Sequence, residues 1–457
     1  MEKKTMHSCG HGNSPRHLGS SVDVENGIVR REIFTDRRIY DEEQEKIFSR
    51  SWLFVGHENQ IASPGDYILG RMGEESVIVT RDEKGKIHVL LNNCRHRGMR
   101  VCRYDRGNTS FFSCPYHGWT FSNEGKLVKV PKLDSAYHKK LDPSKWGLVE
   151  ARAHVHRGTI WATWNQDGPS FEEYMGSSLF FFDAFIGMYD GGEGEWEAFG
   201  GIIKWKIPCN WKFGAENFSG DYYHNFSHSS ADRVSFSPSG QKGRHTYDPV
   251  TRAEAPYRLN IAVDKTGHTA LGQLFKGDHD YVPIYQEMPI VEEYFRQAFY
   301  KRREKLKEKA RWFPHHGTIF PNLSYSRVTM SIASWHPSGP NETEVWRIFL
   351  VPKDAPTEVK DVMRHYAIRY QGPAGQTEQD DMENWLYAHE GSRGSVASRY
   401  PFNYEMGIGY EKRNWPVPWF GPNVQVTEGI TEQNQRSYFE HWAKVMDDGP
   451  GQGDDEK

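Results

Sequence analysis

The chain of 457 residues has 57 Lys and Arg, 61 Asp and Glu, and a formal net charge of -4 at pH 7. Its length predicts two domains, and its mixed-sign charge, without a long basic stripe, argues against a nucleic-acid partner. The sequence has neither a run of about 18 apolar residues nor an apolar leader, so we expect a soluble, cytoplasmic protein that does not associate with membranes.

Short apolar or alternating runs broken by turn residues fill residues 51–166, among them DYILG, ESVIVT and GTIWATW. Period-two alternation between turn signals predicts an all-β module. After residue 167 the pattern changes to long helical stretches, Ile290–Phe313 and Thr357–Tyr370, mixed with strand-like runs such as EVWRIFLV. The predicted fold class is therefore α+β, with an antiparallel sheet in the second part.

The first metal-binding pattern is Cys94-x-His96, followed by 17 residues and then by Cys114-x-x-His117. Turn residues in the connection, DRGN, would fold the two halves towards each other like a pincer. Each half offers one thiolate and one imidazole, so in a 2Fe-2S cluster one iron can take both sulfurs and the other both nitrogens. A structural zinc site with the same four ligands is the alternative.

The second pattern has spacings of four, three and four and consists of Asn217, Asp221, His224 and His228. On a continuous helix these side chains would share one face, and two imidazoles one turn apart can chelate one divalent ion. A carboxylate from elsewhere would complete a two-His, one-carboxylate site for Fe(II) with open positions for oxygen. The adjacent Asp380 and Asp381 are both candidates, because only one of them can point at the metal.

Both patterns, with Gly98 after the first pair of ligands and Gly118-Trp119 after the second, resemble those of Rieske non-heme iron ring-hydroxylating oxygenases. The likeness is greatest to the large (alpha) subunit of aromatic-ring dioxygenases, and it covers most of the chain. It implies a Rieske all-β domain inserted in a catalytic domain whose antiparallel sheet is surrounded by helices. The expected parts are an N-terminal segment packing with the catalytic domain (1–50), the Rieske 2Fe-2S domain (51–166) and the catalytic mononuclear iron domain (167–457).

The resemblance also implies a role for each residue that matches a family motif. The cluster ligands would be Cys94, His96, Cys114 and His117, and the mononuclear iron ligands would be His224, His228 and Asp381. Asp381 is preferred to Asp380 because the family's ligand is usually the second Asp of this pair. Only three residues separate the two histidines, whereas many relatives have four, and His245 is the alternative to His228.

Two further residues take catalytic roles by the same transfer. Asp221 corresponds to the family's bridging aspartate, which would link His224 to His117 of the partner subunit and orient both rings. Asn217 would lie close to the metal. Tyr116 and Tyr223 are candidates for site walls.

The implied activity is that of a terminal oxygenase that inserts both atoms of O2 into an aromatic substrate, including polycyclic ones, to give a cis-dihydrodiol. The alternative is a monooxygenase or demethylase acting on an aromatic carboxylic acid, which Arg311 or Arg327 would hold. The pocket wall is expected in KARWFPHHGTIFPNLSYSRVTMSIASW. A rival from another class is an electron-transfer protein that lacks the second iron.

The implied cofactors are one 2Fe-2S cluster and one Fe(II) per chain. No dinucleotide fingerprint follows a strand, so NAD(P)H would act indirectly through a reductase, a ferredoxin or both. The closing segment suggests a small beta subunit in an α3β3 assembly, with α3 alone as the alternative. The basic run 301–309 is either a docking patch for the electron donor or, as we favour, a solvated helix face. The last helix should begin near Thr431 and bury Tyr438, Trp442 and Met446.

Overall fold

The computed structural model describes residues 18–188, 191, 196–229, 257–278, 280, 281, 283, 285, 288–411 and 417–448. His245 and both chain ends lie outside these residues. In the described part, no helix is both long enough and apolar enough to cross a membrane.

Residues 18–50 form short elements that pack against residues between 402 and 447. They are a 3-10 turn (Leu18–Ser21), β1 (Val22–Asp23), β2 (Ile28–Val29), α1 (Glu32–Thr35), α2 (Arg37–Glu43) and a π-helical turn (Gln44–Phe48). Strand β2 pairs with Phe402 and Asn403. The ring of Phe34 stacks on that of Phe213, with centroids 4.6 Å apart.

Glu43 fastens this segment to the later part of the chain. Its carboxylate is fully buried, pairs with buried Lys212, and accepts hydrogen bonds from Trp211 Nε1 at 2.9 Å and Trp442 Nε1 at 2.8 Å. A buried carboxylate needs such partners to offset its desolvation. The residues before and after the β module therefore belong to one packed body, as an inserted domain requires.

The predicted all-β module is confirmed over the strands that follow. They are β3 (Leu53–His57), β4 (Asp66–Met72), β5 (Glu75–Arg81), β6 (Ile87–Leu91), β7 (Arg106–Asn108), β8 (Phe111–Ser113), β9 (Thr120–Ser122), β10 (Leu127–Lys129), β11 (Glu150–His156) and β12 (Thr159–Thr163), with 3-10 turns at Glu58–Ile61 and Pro143–Lys145. In the described residues they form an antiparallel seven-stranded sheet, β3-β12-β11-β6-β5-β4-β7, and a small sheet, β10-β9-β8. The small sheet carries the second Cys-His pair at one end.

The second part of the chain is α+β, as predicted. Its elements are α3 (Phe171–Met175), α4 (Ser178–Ile186), β13 (Trp196–Ile207), α5 (Trp211–Gly220), a 3-10 helix (Tyr223–His228), β14 (Tyr257–Val263), β15 (Thr269–Leu274), α6 (Pro289–Leu306), a 3-10 turn (Lys307–Arg311), β16 (Trp312–Ile319), β17 (Leu323–Ser326), β18 (Ser331–Pro337), β19 (Thr343–Pro352), α7 (Thr357–Tyr370), α8 (Gln376–Ser392), a 3-10 turn (Ala397–Arg399), β20 (Phe402–Asn403), a 3-10 turn (Pro418–Phe420), β21 (Val424–Glu428) and α9 (Gln433–Asp447).

One antiparallel sheet organises these elements. Among the described residues it has eight strands in the order β13-β19-β18-β17-β16-β15-β14-β21. Helix α5 contacts strands β15 to β18, and α8 contacts the 3-10 helix that follows α5. The sheet thus supports the two helical segments that carry the second metal pattern. The domain boundaries given above, at residues 50 and 166, stay predictions.

Two helix limits differ from the predicted ones. The helix predicted to reach Phe313 ends at Leu306, because Lys307 has a φ of +49° and Trp312 joins the sheet opposite Leu274. The last helix begins at Gln433, two residues after Thr431, and Thr431 Oγ1 accepts from the backbone N–H of Gln433 at 3.2 Å. Its predicted stripe is confirmed, since Tyr438, Trp442 and Met446 are all fully buried.

Candidate active site and metal centres

The two Cys-His loops have the same backbone geometry. Cys94 N–H donates to Met99 O at 2.8 Å and Gly98 N–H donates to Cys94 O at 2.8 Å. In the second loop, Cys114 N–H donates to Trp119 O at 2.7 Å and Gly118 N–H to Cys114 O at 2.9 Å. Both glycines have a φ of +72°, a conformation that other residues rarely adopt. The pattern therefore folds into two matching fingers, as the spacing predicts.

The four predicted cluster ligands meet between these fingers. Cys94 and Cys114 are buried, and the rings of His96 and His117 lie 4.5 Å apart between centroids. The Nδ1 atoms of both histidines are buried and find no hydrogen-bond partner among the described residues. Buried polar atoms are nearly always satisfied, so two such nitrogens beside two thiols fit a metal cluster that takes them as ligands.

Electrostatics at the fingers also suit metal ligands. Burial raises the pKa of the Cys94 thiol, so the thiolate that binds iron needs the positive charge of the metal beside it. Burial, with smaller effects of His117 and Arg97, lowers the pKa of His96 and keeps its ring neutral. A neutral imidazole with a free lone pair is the form that binds a metal.

The second centre is a triangle of donor atoms from two helical segments. His224 Nε2 lies 3.0 Å from His228 Nε2, and Asp381 Oδ1 lies 3.3 Å and 3.2 Å from these two nitrogens. Two donors bound about 2.1 Å from one ion and at right angles to each other lie about 3.0 Å apart. The triangle therefore has the size of one face of an octahedral metal site.

The charges around the triangle favour a cation at its centre. Burial lowers the pKa of His224, but the nearby carboxylates of Asp221 and Asp381 outweigh burial and raise the pKa to about 9. The surrounding negative charge thus favours the protonated His224 ring, and a divalent ion bound to this ring would be favoured for the same reason in place of the proton. Asp381 Oδ1 is buried without a hydrogen-bond partner among the described residues, which also fits a ligand atom.

Each histidine of the triangle has a carboxylate beside its other ring nitrogen. Asp221 Oδ1 lies 3.6 Å from His224 Nδ1, and Asp380 Oδ2 lies 3.1 Å from His228 Nδ1. Carboxylates in this position fix the tautomer and the orientation of metal-binding histidines. Of the two adjacent aspartates, one therefore faces the triangle and the other supports it. The supporting position of Asp380 was not predicted.

Comparison with known proteins agrees with this arrangement. Residues 51–147 match the model of the Rieske [2Fe-2S] domain, and residues 194–448 match that of the ring hydroxylating alpha subunit (catalytic domain). The chain belongs to the ring-hydroxylating alpha subunits. Biphenyl 2,3-dioxygenase subunit alpha of Rhodococcus jostii (strain RHA1) is 38% identical to it over 94% of this chain and 91% of that protein.

Two more relatives span nearly the whole chain. The solved naphthalene 1,2-dioxygenase from Rhodococcus sp. bound to indole superposes with a TM-score of 0.79 and 32% identity, covering 95% of this chain and 98% of that chain. The N,N-dimethyl phenylurea N-demethylase subunit alpha of Sphingobium sp. (strain YBL2) is 31% identical over 93% of this chain and 92% of that protein. As a member of the family, the chain is an oxidoreductase with a Rieske 2Fe-2S cluster and a mononuclear iron.

In this ring-hydroxylating alpha subunit the second pattern does not lie on one continuous helix, and that prediction is wrong. Helix α5 ends at Gly220, Asp221 caps it, and the two histidines lie on the separate 3-10 helix. Gly220 has a φ of +155°, and a Cβ there would lie 2.6 Å from Asn434 Nδ2. The close approach of Asn434 thus favours a residue without a Cβ where the chain turns, and the turn still brings the four residues to one cavity.

A buried ion pair holds the helix that carries the aspartates. Arg347 Nη2 of β19 donates to both carboxylate oxygens of Glu378, at 2.7 and 2.8 Å, and neither side chain is more than 1% exposed. Arg347 Nη1 donates to Gln371 Oε1 at 2.7 Å. Because Glu378 lies one turn before Asp381, this pair fixes α8 against the central sheet.

The cavity beside the triangle has walls from the predicted segment and from residues that were not predicted. It spans about 730 Å³, including the part open to solvent. The predicted segment contributes His315, His316, Ser326 and Val328, and Asn217 also lines the cavity. Tyr222 lines the cavity, whereas Tyr223 is 54% exposed.

The two arginines considered as anchors for a substrate carboxylate are absent from the described lining of the cavity. Arg311 donates instead to the carbonyl oxygens of Phe275 at 2.8 Å and Lys276 at 3.1 Å. His316 faces the cavity as a neutral ring, because burial lowers its pKa to about 3. Its Nδ1 lies 2.8 Å from Nδ1 of His315.

Proposed function

We propose that the chain is the terminal oxygenase component that adds both atoms of O2 to an aromatic substrate, including polycyclic ones, to give a cis-dihydrodiol. The observation that carries the proposal is the triangle of His224, His228 and Asp381 at a cavity, in a chain that also forms the two cluster-binding fingers. When bound, the cluster supplies single electrons and the Fe(II) supplies open positions for oxygen.

In this proposal Cys94, His96, Cys114 and His117 hold the cluster, and His224, His228 and Asp381 hold the iron. Asp221 orients the His224 ring through Nδ1, and its own position is fixed because Oδ1 accepts from the backbone N–H of Tyr223 at 3.0 Å and of His224 at 3.1 Å. Asn217 lies in the cavity wall next to the triangle, where it contacts what is bound there.

The side chain of Asp221 is 28% exposed, so it can also accept a hydrogen bond from outside the chain. We assign that bond to His117 of the partner subunit, which would place the cluster of one subunit beside the iron of the next. A closed ring of subunits then follows, because each subunit would give and receive such a contact. The named relatives are alpha subunits, which supports a small beta subunit, and α3β3 is the assembly that we propose.

The reaction of one substrate molecule with one O2 to give one cis-dihydrodiol consumes two electrons and two protons. We assign the electrons to a separate reductase, with or without a ferredoxin, that oxidises NAD(P)H. A cytoplasmic location is part of the same proposal.

Turnover with labelled oxygen tests the reaction. With a generic reductase and ferredoxin pair, biphenyl and naphthalene should give cis-diols that carry two labelled oxygen atoms. One labelled atom per product would instead support the monooxygenase alternative, and loss of a methyl group from N,N-dimethyl phenylurea would support demethylation. The greater identity to the biphenyl enzyme, 38% against 31% for the demethylase, favours dioxygenation. The His224→Ala variant is the matched inactive control.

A further inference from the structure

The finger region carries a charge opposite to that of the whole chain. From Cys94 to Trp146 there are eleven Lys and Arg against four Asp and Glu, a formal charge of +7, whereas the complete chain has -4. A local excess of one sign beside a redox centre attracts and orients partners of the opposite sign. This charge is concentrated on the part of the protein that holds the cluster.

A set of ring contacts leads from one cluster ligand to the surface in this region. The His96 ring stacks on Trp119, with centroids 4.9 Å apart and planes 9° apart. Trp119 is buried, and its ring meets that of Trp146 edge-on at 6.3 Å. Trp146 is 36% exposed. The exposed edge of Trp146 is therefore only two ring contacts away from His96.

The other histidine lies among different neighbours. The ring of Tyr116, which is 57% exposed, lies 3.8 Å from that of His117 between centroids. Under the proposed function His117 faces the partner subunit, so this side of the cluster passes electrons on. The opposite side, with His96 and Trp146, is therefore where a protein that delivers electrons to the cluster would bind.

One cation lies against the ring of Trp146, and two more lie in the preceding stretch of the chain. The guanidinium of Arg95 lies 5.6 Å from the centre of its ring. Lys145 precedes it in the chain, and Lys140 lies on the loop of Tyr137, whose ring contacts Trp119 at 6.5 Å. All three cations are exposed, and none has an ion-pair partner in the part of the chain that the structure describes. Together with Trp146 they form what we name the basic rim: Arg95, Lys140, Lys145 and Trp146.

We propose that the basic rim is the docking surface for an acidic electron-carrier protein, which delivers electrons to the cluster on the His96 side. This inference rests on the proposed function, because it requires an oxygenase that receives electrons from a separate protein. Each delivery moves one electron from the reduced carrier to the oxidised cluster, so the carrier is oxidised and the cluster reduced. The exposed Trp146, with the Arg95 guanidinium beside its ring and in a segment of formal charge +7, suits an acidic face with an apolar centre.

The basic run 301–309 is the rival docking surface on this chain. It lies on the last turn of α6 and the 3-10 turn after it, and it belongs to the catalytic part rather than to the fingers. Within it, Arg302 is buried and donates to the carbonyl oxygens of Ala310 and Trp312, so it is not available to a partner. Exposed Lys305 and Lys309 provide a matched pair of charges for comparison.

Charge reversal in the holoenzyme separates the two surfaces. The variant Lys140→Glu/Lys145→Glu is compared with Lys305→Glu/Lys309→Glu, both with the cluster and the iron loaded. The probe is a reduced plant-type [2Fe-2S] ferredoxin of net negative charge, and cluster reduction is followed by stopped-flow absorbance over a range of ionic strength. Photoreduced deazaflavin serves as a small uncharged donor that needs no docking.

The proposal expects reduction by ferredoxin at low salt to slow at least about ten-fold in Lys140→Glu/Lys145→Glu, with a weaker dependence on ionic strength. The rate of cluster reduction by deazaflavin should be the same in both variants as in the parent protein. The rate of reduction by ferredoxin in Lys305→Glu/Lys309→Glu should also equal that of the parent. Equal rates in all three proteins, or slowing only in Lys305→Glu/Lys309→Glu, would overturn it. A change of oligomeric state in Lys140→Glu/Lys145→Glu would also overturn it, because the surface would then lie between copies of this chain.

A single turnover keeps this result distinct from the proposed function. Protein reduced chemically beforehand is mixed with O2 and biphenyl or naphthalene, and the diol formed in that one turnover is measured. Product in all three proteins with unchanged ferredoxin rates would refute the docking surface alone. The absence of product in every protein would refute the proposed oxygenase reaction instead.

Discussion

The two candidate metal centres are built in opposite ways. The fingers use four ligands within 24 consecutive residues, Cys94–His117, held by backbone hydrogen bonds inside each loop. The triangle joins His224 and His228 to Asp381, about 150 residues later, through the packing of α8 on the 3-10 helix. Local geometry therefore determines the first centre, whereas the second depends on distant parts of the fold, and the two should respond differently to mutation.

The largest expected difference follows from removing one ligand of each centre. Asp381→Ala should abolish dihydroxylation, by more than about a thousand-fold, because the remaining two imidazoles bind Fe(II) weakly. Iron per chain should fall from three to two while the visible spectrum of the cluster stays. Cys114→Ser should instead remove that spectrum. Full activity in Asp381→Ala, measured as diol formed per chain, would contradict the assignment.

Sequence patterns predicted more of the first centre, whose geometry is local, than of the second, which depends on distant residues. Both finger loops lie where they were predicted, because the turn residues and ligand spacings lie within one short segment, while the four ligands in them stay a prediction. The break at Gly220 was not predicted, since the spacing of Asn217, Asp221 and His224 also suits a continuous helix and the packing of Asn434 is a long-range contact. The position of Asp380 depends on how α8 is rotated against His228, which the sequence does not contain.

The second prediction concerns the buried pair that fixes α8. Arg347→Met leaves the Glu378 carboxylate buried without its partner, which should cost about 3–5 kcal/mol in the free energy of unfolding. Because Glu378 lies one turn before Asp381, iron retention should fall as well, while the cluster spectrum is kept. Urea unfolding and iron analysis measure the two effects.

A double variant and a more exposed pair serve as controls. Arg347→Met/Glu378→Gln removes both charges, so it should be more stable than Arg347→Met alone. Arg71→Met breaks the pair of Arg71 with Glu344, whose side chains are 14% and 24% exposed, and should cost less. If Arg347→Met and Arg71→Met lower the free energy of unfolding equally, the cost does not depend on how deeply the ion pair is buried.

A smaller effect is expected from the carboxylate that supports the triangle without belonging to it. Asp380→Asn leaves the three ligands in place but weakens the acceptor 3.1 Å from His228 Nδ1, so iron affinity should fall about 10–100-fold. Equilibrium dialysis against Fe(II) measures that change. The exposed Glu383→Gln on the same helix is the control and should bind iron as the parent does. Unaltered affinity in Asp380→Asn would show that the contact does not orient the ring.

The smallest expected effects test how alike the two fingers are. Gly98 and Gly118 share a φ of +72°, so alanine at either position should cost about 1–2 kcal/mol for the backbone alone. Their surroundings differ, however, because a Cβ at Gly98 would come no closer than 3.8 Å to Asn93, whereas one at Gly118 would lie 3.1 Å from Pro131 Cγ. Gly118→Ala should therefore be the less stable variant, by an amount set by how far Pro131 can move.

Thermal loss of the visible cluster spectrum measures this difference between Gly98→Ala and Gly118→Ala. Gly85→Ala, at a φ of +84° in an open turn between β5 and β6, is the control for backbone cost without crowding. If Gly98→Ala and Gly85→Ala lose the cluster spectrum at the same temperature and Gly118→Ala loses it at a lower one, the two fingers share a backbone conformation but differ in the room around the glycine. If Gly98→Ala is the worst of the three, the first loop is constrained by the cluster rather than by protein contacts, because the polypeptide around its glycine leaves room for a methyl group.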